Sequence, residues 1–255
     1  MSDPNQEFQA PPPPPFAPTP PPPEVEMSTP ETLANVFFEP SRVFEALRSR
    51  PRFLIAGIIL LVLTIIVTAV LFMRVDMGEL IRAQMDKSSR SASQTEQQKE
   101  LGVKIGKAVF AVGIPVSVPF VIAAGAGLYL LMVLAFGGAI TYTQALSVWV
   151  YSALPPAVLR TIVAVLVLFL KAPDSIDPEH LLITNPGSFM QPDSAPVLTA
   201  LLTQFDVLRF YGMFLAAIGL KKVAKISSGS AWTIVIGFWL ILAVLAVAKA
   251  AIVGS

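Results

Sequence analysis

The sequence predicts an all-α fold: a polytopic membrane helical bundle with five transmembrane helices and a disordered proline-rich N-terminal tail. Three observations predict it. Hydrophobic residues make up 54% of the 255-residue chain and charged residues only 14%, against about 25% charged in an average soluble domain. The apolar residues come in long blocks, and a block of ~18 or more is long enough to cross the hydrocarbon layer as a helix. Ahead of the first block stand two proline runs, Pro11 to Pro15 and Pro20 to Pro23, which favour extended polyproline II and cannot build a core.

Composition also narrows the chemistry. A formal net charge of +1 gives no concentrated basic face of the kind a nucleic-acid binder needs. The chain has no cysteine, so disulfides, thiolate metal sites and cysteine nucleophiles are out of reach. The N-terminus lacks a basic stretch followed by an apolar one, and the first hydrophobic block opens only near Phe53, so no cleaved signal peptide is expected.

Three regions follow in order: a disordered tail at 1–28, an interfacial amphipathic segment at 29–52, and a membrane domain at 53–252. The tail reads as a spacer; docking to an aromatic-grooved adaptor is the competing reading. In the second region Thr29 is expected to cap a helix with Pro30 at its first position and Glu31 in its first turn. Leu33, Val36 and Phe37 share a face. A second short helix restarts at Pro40, with Val43, Phe44 and Leu47 on one side and Arg42, Arg48, Arg50 and Arg52 elsewhere. That pattern suits a helix lying in the membrane interface, its apolar side in the acyl boundary.

Span one is expected over Phe53 to about Met73, closed by Arg74 and continuing as a helix outside the membrane through Met77, Leu80, Ile81 and Met85. Ser88 to Ser93 reads as a turn, and Glu96 to Lys107 leads back in. From Ala108 to Leu159 the only ionisable groups are tyrosines, which is room for two spans. Gly137 and Gly138 mark the break, giving span two at about 108–136 and span three at about 144–170. Proline pairs at 115/119 and 155/156 are expected to kink them. Span four runs from Ser194 to about Leu220, and span five from about Ala231 to Val247.

Lysine and arginine near span ends set orientation. Four arginines before span one put the N-terminus in the cytoplasm, and five spans put the C-terminus outside. The Lys221 to Lys225 turn is then inside and the acidic 172–194 loop outside, as the rule asks. The first loop goes against it, with seven basic residues between Arg74 and Lys107.

Few ionisable groups fall inside spans, and these are the candidate functional residues. Arg160 and Asp206 both lie roughly 15–18 Å below the outer boundary, counting ~1.5 Å per residue. They are expected to pair between spans three and four, with Arg209 one turn on as a second partner of Asp206. One reading is an interhelical clamp. The other is a polar path through a small transporter or permease subunit, distinguished by a water-filled cavity around these three residues. His180 with Asp174, Asp177 and Glu179 reads as a solvated loop, because Pro173 and Pro178 break any ligand spacing. No nucleophile–base pair, carboxylate pair or phosphate-binding loop is present, so no enzyme activity, no catalytic residue, no cofactor and no metal are expected. Small residues at Gly113, Ala123 and Gly127 and at Gly212 and Ala216 allow close helix contact within the bundle, or between copies of the chain.

Three stretches carry a family resemblance. The pre-membrane ETLANVFFEPSRVFEALRSRPRF, with Phe38-Glu39-Pro40-Ser41 and Phe44-Glu45-Ala46-Leu47, looks like the entry segment of the Yip (Ypt/Rab-interacting protein) membrane family in its bacterial branch. TYTQALSVWVYSALP is similar to the start of that family's third span. LLTQFDVLRFYGMFLAAIGLKKVAKIS, with Phe205-Asp206 and Gly219-Leu220, is similar to its fourth. The resemblance runs from about residue 30 to the end. It implies a non-enzymatic protein of the bacterial cytoplasmic membrane, acting as a scaffold or interaction partner for an unidentified membrane or cytoplasmic protein. The sequence lacks the aspartate-leucine-tyrosine-glycine-proline motif typical of eukaryotic members that engage small GTPases.

Overall fold

The structure is a computed structural model describing residues 26–87, 95–172, 176, 181–190 and 195–253. The expected tail up to Val25, the turn at 88–93 and, in the acidic loop, Asp174, Asp177, Glu179 and His180 lie outside the described residues. Among the described residues every regular element is helical: α1 (Thr29–Asn35), α2 (Pro40–Ser49), α3 (Leu54–Arg74), α4 (Met77–Lys87), α5 (Glu96–Ala108), α6 (Ile114–Ala135), α7 (Tyr142–Leu170), α8 (Pro196–Leu202), α9 (Val207–Ala224) and α10 (Ser228–Val253), with a π turn at Val109–Gly113 and a 3₁₀ turn at Pro186–Phe189.

Among the described residues four helices are long and apolar enough to cross a membrane: α3, the continuous Glu96–Ala135 helix, α7 and α10. The fourth expected span differs from its prediction. Instead of one helix from Ser194 to Leu220, α8 and α9 meet the requirement only together, bent by 45°. The reason is local. Asp206 takes an extended conformation (φ −93°, ψ 126°) and its side chain accepts from the Arg209 amide, so it caps a new helix rather than continuing the old one.

The pre-membrane segment also differs. Ser28, not Thr29, is the N-cap of α1, forming a capping box with Glu31. More important is where the apolar side of α2 goes. Val43 and Phe44 are fully buried and Leu47 nearly so, packed inside the protein against α9 and α7 rather than left for the acyl boundary. Gly219 on α9 makes this docking fit, since a Cβ there would meet Val148 Cγ1 at 2.8 Å and the Phe44 ring at 3.0 Å. Polar contacts finish the join: the Gln144 side-chain amide donates to the Arg48 carbonyl at 2.7 Å, and Lys222 pairs with Glu45 at 3.5 Å. Gly219→Val is therefore expected to pry α2 from the bundle at a cost of about 1–3 kcal/mol. A cysteine placed at Phe44 or Leu47 in that background would become reactive to maleimide, whereas in the parent it stays protected.

The first span does not run on as one helix. It ends at Val75 (φ −124°, ψ 133°), and Asp76 starts α4 by accepting from the Gly78 amide at 2.7 Å and the Glu79 amide at 3.3 Å. Those amide donors hold the Asp76 carboxyl below the usual carboxylate range. Beyond that break α4 packs on α5, with Met77 and Ile81 buried. Arg74 ties the end of α3 to the end of α7, donating to the Leu168 carbonyl at 3.0 Å and the Lys171 carbonyl at 3.1 Å.

Spans two and three match their expected extents closely, although α5 feeds into α6 as one long helix interrupted only by the π turn. That turn precedes Pro115, which stands in the first turn of α6, where a missing N–H is tolerated. Gly137, with φ +73°, makes the turn between α6 and α7 in a conformation a side chain would resist. The core centres on α7, whose Trp149 meets Tyr129 of α6 at 5.0 Å and Phe238 of α10 at 5.6 Å between ring centroids. Both partners contact its ring edge-on, the favourable aromatic geometry. The two small-residue stripes divide. Gly212 faces Pro156 and Ser152 of α7 and Ala216 is buried, so that stripe packs inside the bundle. Gly127 has open space around it and Ala123 is exposed.

Candidate functional site

The break between α8 and α9 is where the intramembrane charges meet. Arg160 on α7 and Asp206 at the head of α9 come together, a guanidinium nitrogen 3.3 Å from Oδ1. The two ends of this pair sit in different surroundings: the Asp206 side chain is 8% exposed and that of Arg160 50%. Oδ1 also accepts from the Arg209 amide at 2.8 Å. The other carboxylate oxygen accepts from the Thr184 hydroxyl at 2.5 Å, and the Val207 amide donates to the Thr184 carbonyl at 3.1 Å. The chain between α7 and α8 thus returns to the break and stitches itself to it twice.

Arg209 departs from its expected role. Its backbone amide reaches Asp206, but its guanidinium donates to the Gln204 side-chain oxygen. An arginine three residues past the cap projects away from the capping carboxylate, so the side chain finds the next acceptor back along the chain. Gln204 is itself buried. Its amide nitrogen donates to the Ala200 carbonyl at 3.0 Å, and its backbone carbonyl accepts from the Trp239 indole at 3.2 Å. Phe205, Phe210 and Trp239 cluster beside the break, with Phe205 and Trp239 5.6 Å apart and edge-on.

Three members of this site escaped sequence reasoning. Thr184 carries no signal in a polar loop. Gln204 could have been found, as an uncharged polar residue within an apolar run. Trp239 offers only its amphipathic ring. Among the described residues no group of three or more histidine and acidic side chains could hold a metal ion. A cavity of about 160 Å³ lies elsewhere, between Leu71, Phe72, Leu80 and Phe110. What the site can do chemically is hold helices. A carboxylate with one oxygen shared by an amide and a guanidinium, and the other taken by a hydroxyl, is engaged on both sides.

Apolar helices long enough to cross a membrane, locked by polar contacts at both ends of the bundle, define a multi-pass helical membrane protein. The chain belongs to the Yip family: the Yip1 domain family model matches residues 34–249. The match takes in α2, which agrees with its burial as part of the bundle. No curated protein and no solved structure matches the chain.

Proposed function

We propose that this protein is a non-enzymatic scaffold or interaction partner in the cytoplasmic membrane of a bacterium, with its N-terminus cytoplasmic and its C-terminus outside. The observation that carries the reading is the engagement of Asp206 on both carboxylate oxygens. A group so occupied clamps α7 to α9; a proton or ion relay would need an oxygen free to exchange its partner. The orientation is supported by the positive edge. Arg48 lies beside Gln144 at the head of α7, and Lys222 beside Glu45, so the basic clusters of α2 and α9 share one side, as a cytoplasmic face requires.

Because the chain has no cysteine, topology can be read without background. Ser2→Cys should resist a membrane-impermeant maleimide in intact cells and Ser255→Cys should react; the reverse pattern overturns the orientation. Crosslinking in membranes should give discrete adducts with a membrane or cytoplasmic protein, and comparison with a chain lacking 1–28 shows whether the tail contributes. A full-length protein that yields no adduct contradicts the scaffold role.

A further inference from the structure

The Arg160–Asp206–Arg209 cluster has more charge than the clamp uses. Among the described residues it holds two cations and one anion, and the partner of the Arg209 guanidinium is the neutral Gln204. Among the described residues one positive charge is therefore left without an acidic partner. It is also not hidden: the Arg160 side chain is half exposed and Arg209 is exposed, on helices whose surroundings are lipid.

Depth along the helices locates this charge. One membrane edge is marked where Gln144 meets Arg48 and Lys222 meets Glu45. From Gln144 to Arg160 is about 24 Å along α7, and from Lys221 back to Asp206 about 23 Å along α9, at ~1.5 Å per residue. With a hydrocarbon layer of ~30 Å, the cluster lies in the far half of the bilayer, about 7 Å below its surface when counted from this edge, shallower than the roughly 15–18 Å counted from the loop ends in the sequence. An arginine side chain can cover that distance, so the guanidinium groups meet headgroups rather than acyl chains. The aromatic neighbours agree with that level. Phe205, Phe210 and Trp239 pack together at the break, and the Trp239 indole turns its N–H to a backbone carbonyl, the amphipathic placement of an interfacial aromatic.

From this we infer that Arg160 and Arg209 bind the phosphate of a phospholipid headgroup in the leaflet facing the α8–α9 break, its acyl chains running toward the bilayer centre. Charge complementarity selects the phosphate: it is the anion every bilayer presents at this level, and guanidinium donors match it in paired, charge-assisted hydrogen bonds. The site is separate from the proposed scaffold role and stands or falls without it.

Native mass spectrometry of the full chain, released from micelles with phosphatidylglycerol, reads the site directly. The parent should retain a bound phosphatidylglycerol that Arg209→Gln loses by about tenfold in apparent affinity, the scale of one charge-assisted hydrogen bond. Arg209→Lys should fall between the two, keeping the charge but losing the paired hydrogen bonds. Arg209→Gln is the informative variant because it leaves the Arg160–Asp206 pair in place, and an unchanged thermal unfolding midpoint shows that it folds. Diacylglycerol, with the same tails and no phosphate, should not be retained, and soluble glycerol phosphate should not displace the lipid at equal concentration. Equal retention by parent and Arg209→Gln, retention of diacylglycerol, or displacement by glycerol phosphate would each overturn the inference, the last by making it a site for free phosphate esters.

Discussion

Asp206→Ala is expected to lower the stability of the folded bundle by about 3 kcal/mol, the low end of the range for breaking a buried ion pair because Arg160 is half exposed. Two losses combine. The cap of α9 disappears, worth about 1 kcal/mol, and the Arg160 guanidinium and the Thr184 hydroxyl lose their shared acceptor. Asp206→Asn should cost less, since an amide oxygen can still accept from the Arg209 amide but no longer balances Arg160. Trp239 donates to the carbonyl of Gln204, close enough to the break for its fluorescence to follow unfolding in micelles. If Asp206→Ala unfolds at the same denaturant concentration as the parent, the carboxylate holds nothing.

The second large effect concerns packing. A Cβ on Gly125 would lie 2.3–2.5 Å from atoms of the Trp149 ring, and that ring is held on its other sides by Tyr129 and Phe238. Trp149 cannot move aside without breaking both edge-on contacts, so Gly125→Val is expected to destabilise by about 3 kcal/mol, the upper part of the usual overpacking range. Gly127, two residues on, has nothing within reach of an added Cβ, and Gly127→Ala should fall within about 0.5 kcal/mol of the parent or gain slightly from helix propensity. Thermal unfolding of the two variants side by side checks the contrast. Similar losses at both positions would mean that α6 does not present the face described.

Much of the fold was legible because lipid imposes a simple code. Apolar blocks bounded by charge give α3, α7 and α10 within a few residues, and Gly137 marks its turn through a backbone conformation few other residues accept. The docking of α2 was not legible in the same way. Val43, Phe44 and Leu47 form an apolar face that lipid or protein could equally cover, and what decides between them is Gly219, far away in sequence. The broken span was hidden for a related reason. The stretch around Asp206 is apolar enough to pass as one helix, and its break depends on a side chain choosing to cap. An acid within an apolar run near two arginines did announce a pairing, since a lone charge inside a span is costly. The partner expected for Asp206, Arg160, is the one present; what could not be read is that the capping geometry turns the guanidinium of Arg209 away to Gln204.

The central claim is that Arg160 and Asp206 act together as a clamp between α7 and α9. A double-mutant cycle tests it most directly, using Arg160→Gln, Asp206→Asn and the two combined, with stability measured by denaturant unfolding in micelles. The account predicts a coupling of about 1–2 kcal/mol, with the combined variant more stable than the sum of the single losses allows. Strictly additive losses, with the double variant no better folded than that sum, would contradict it.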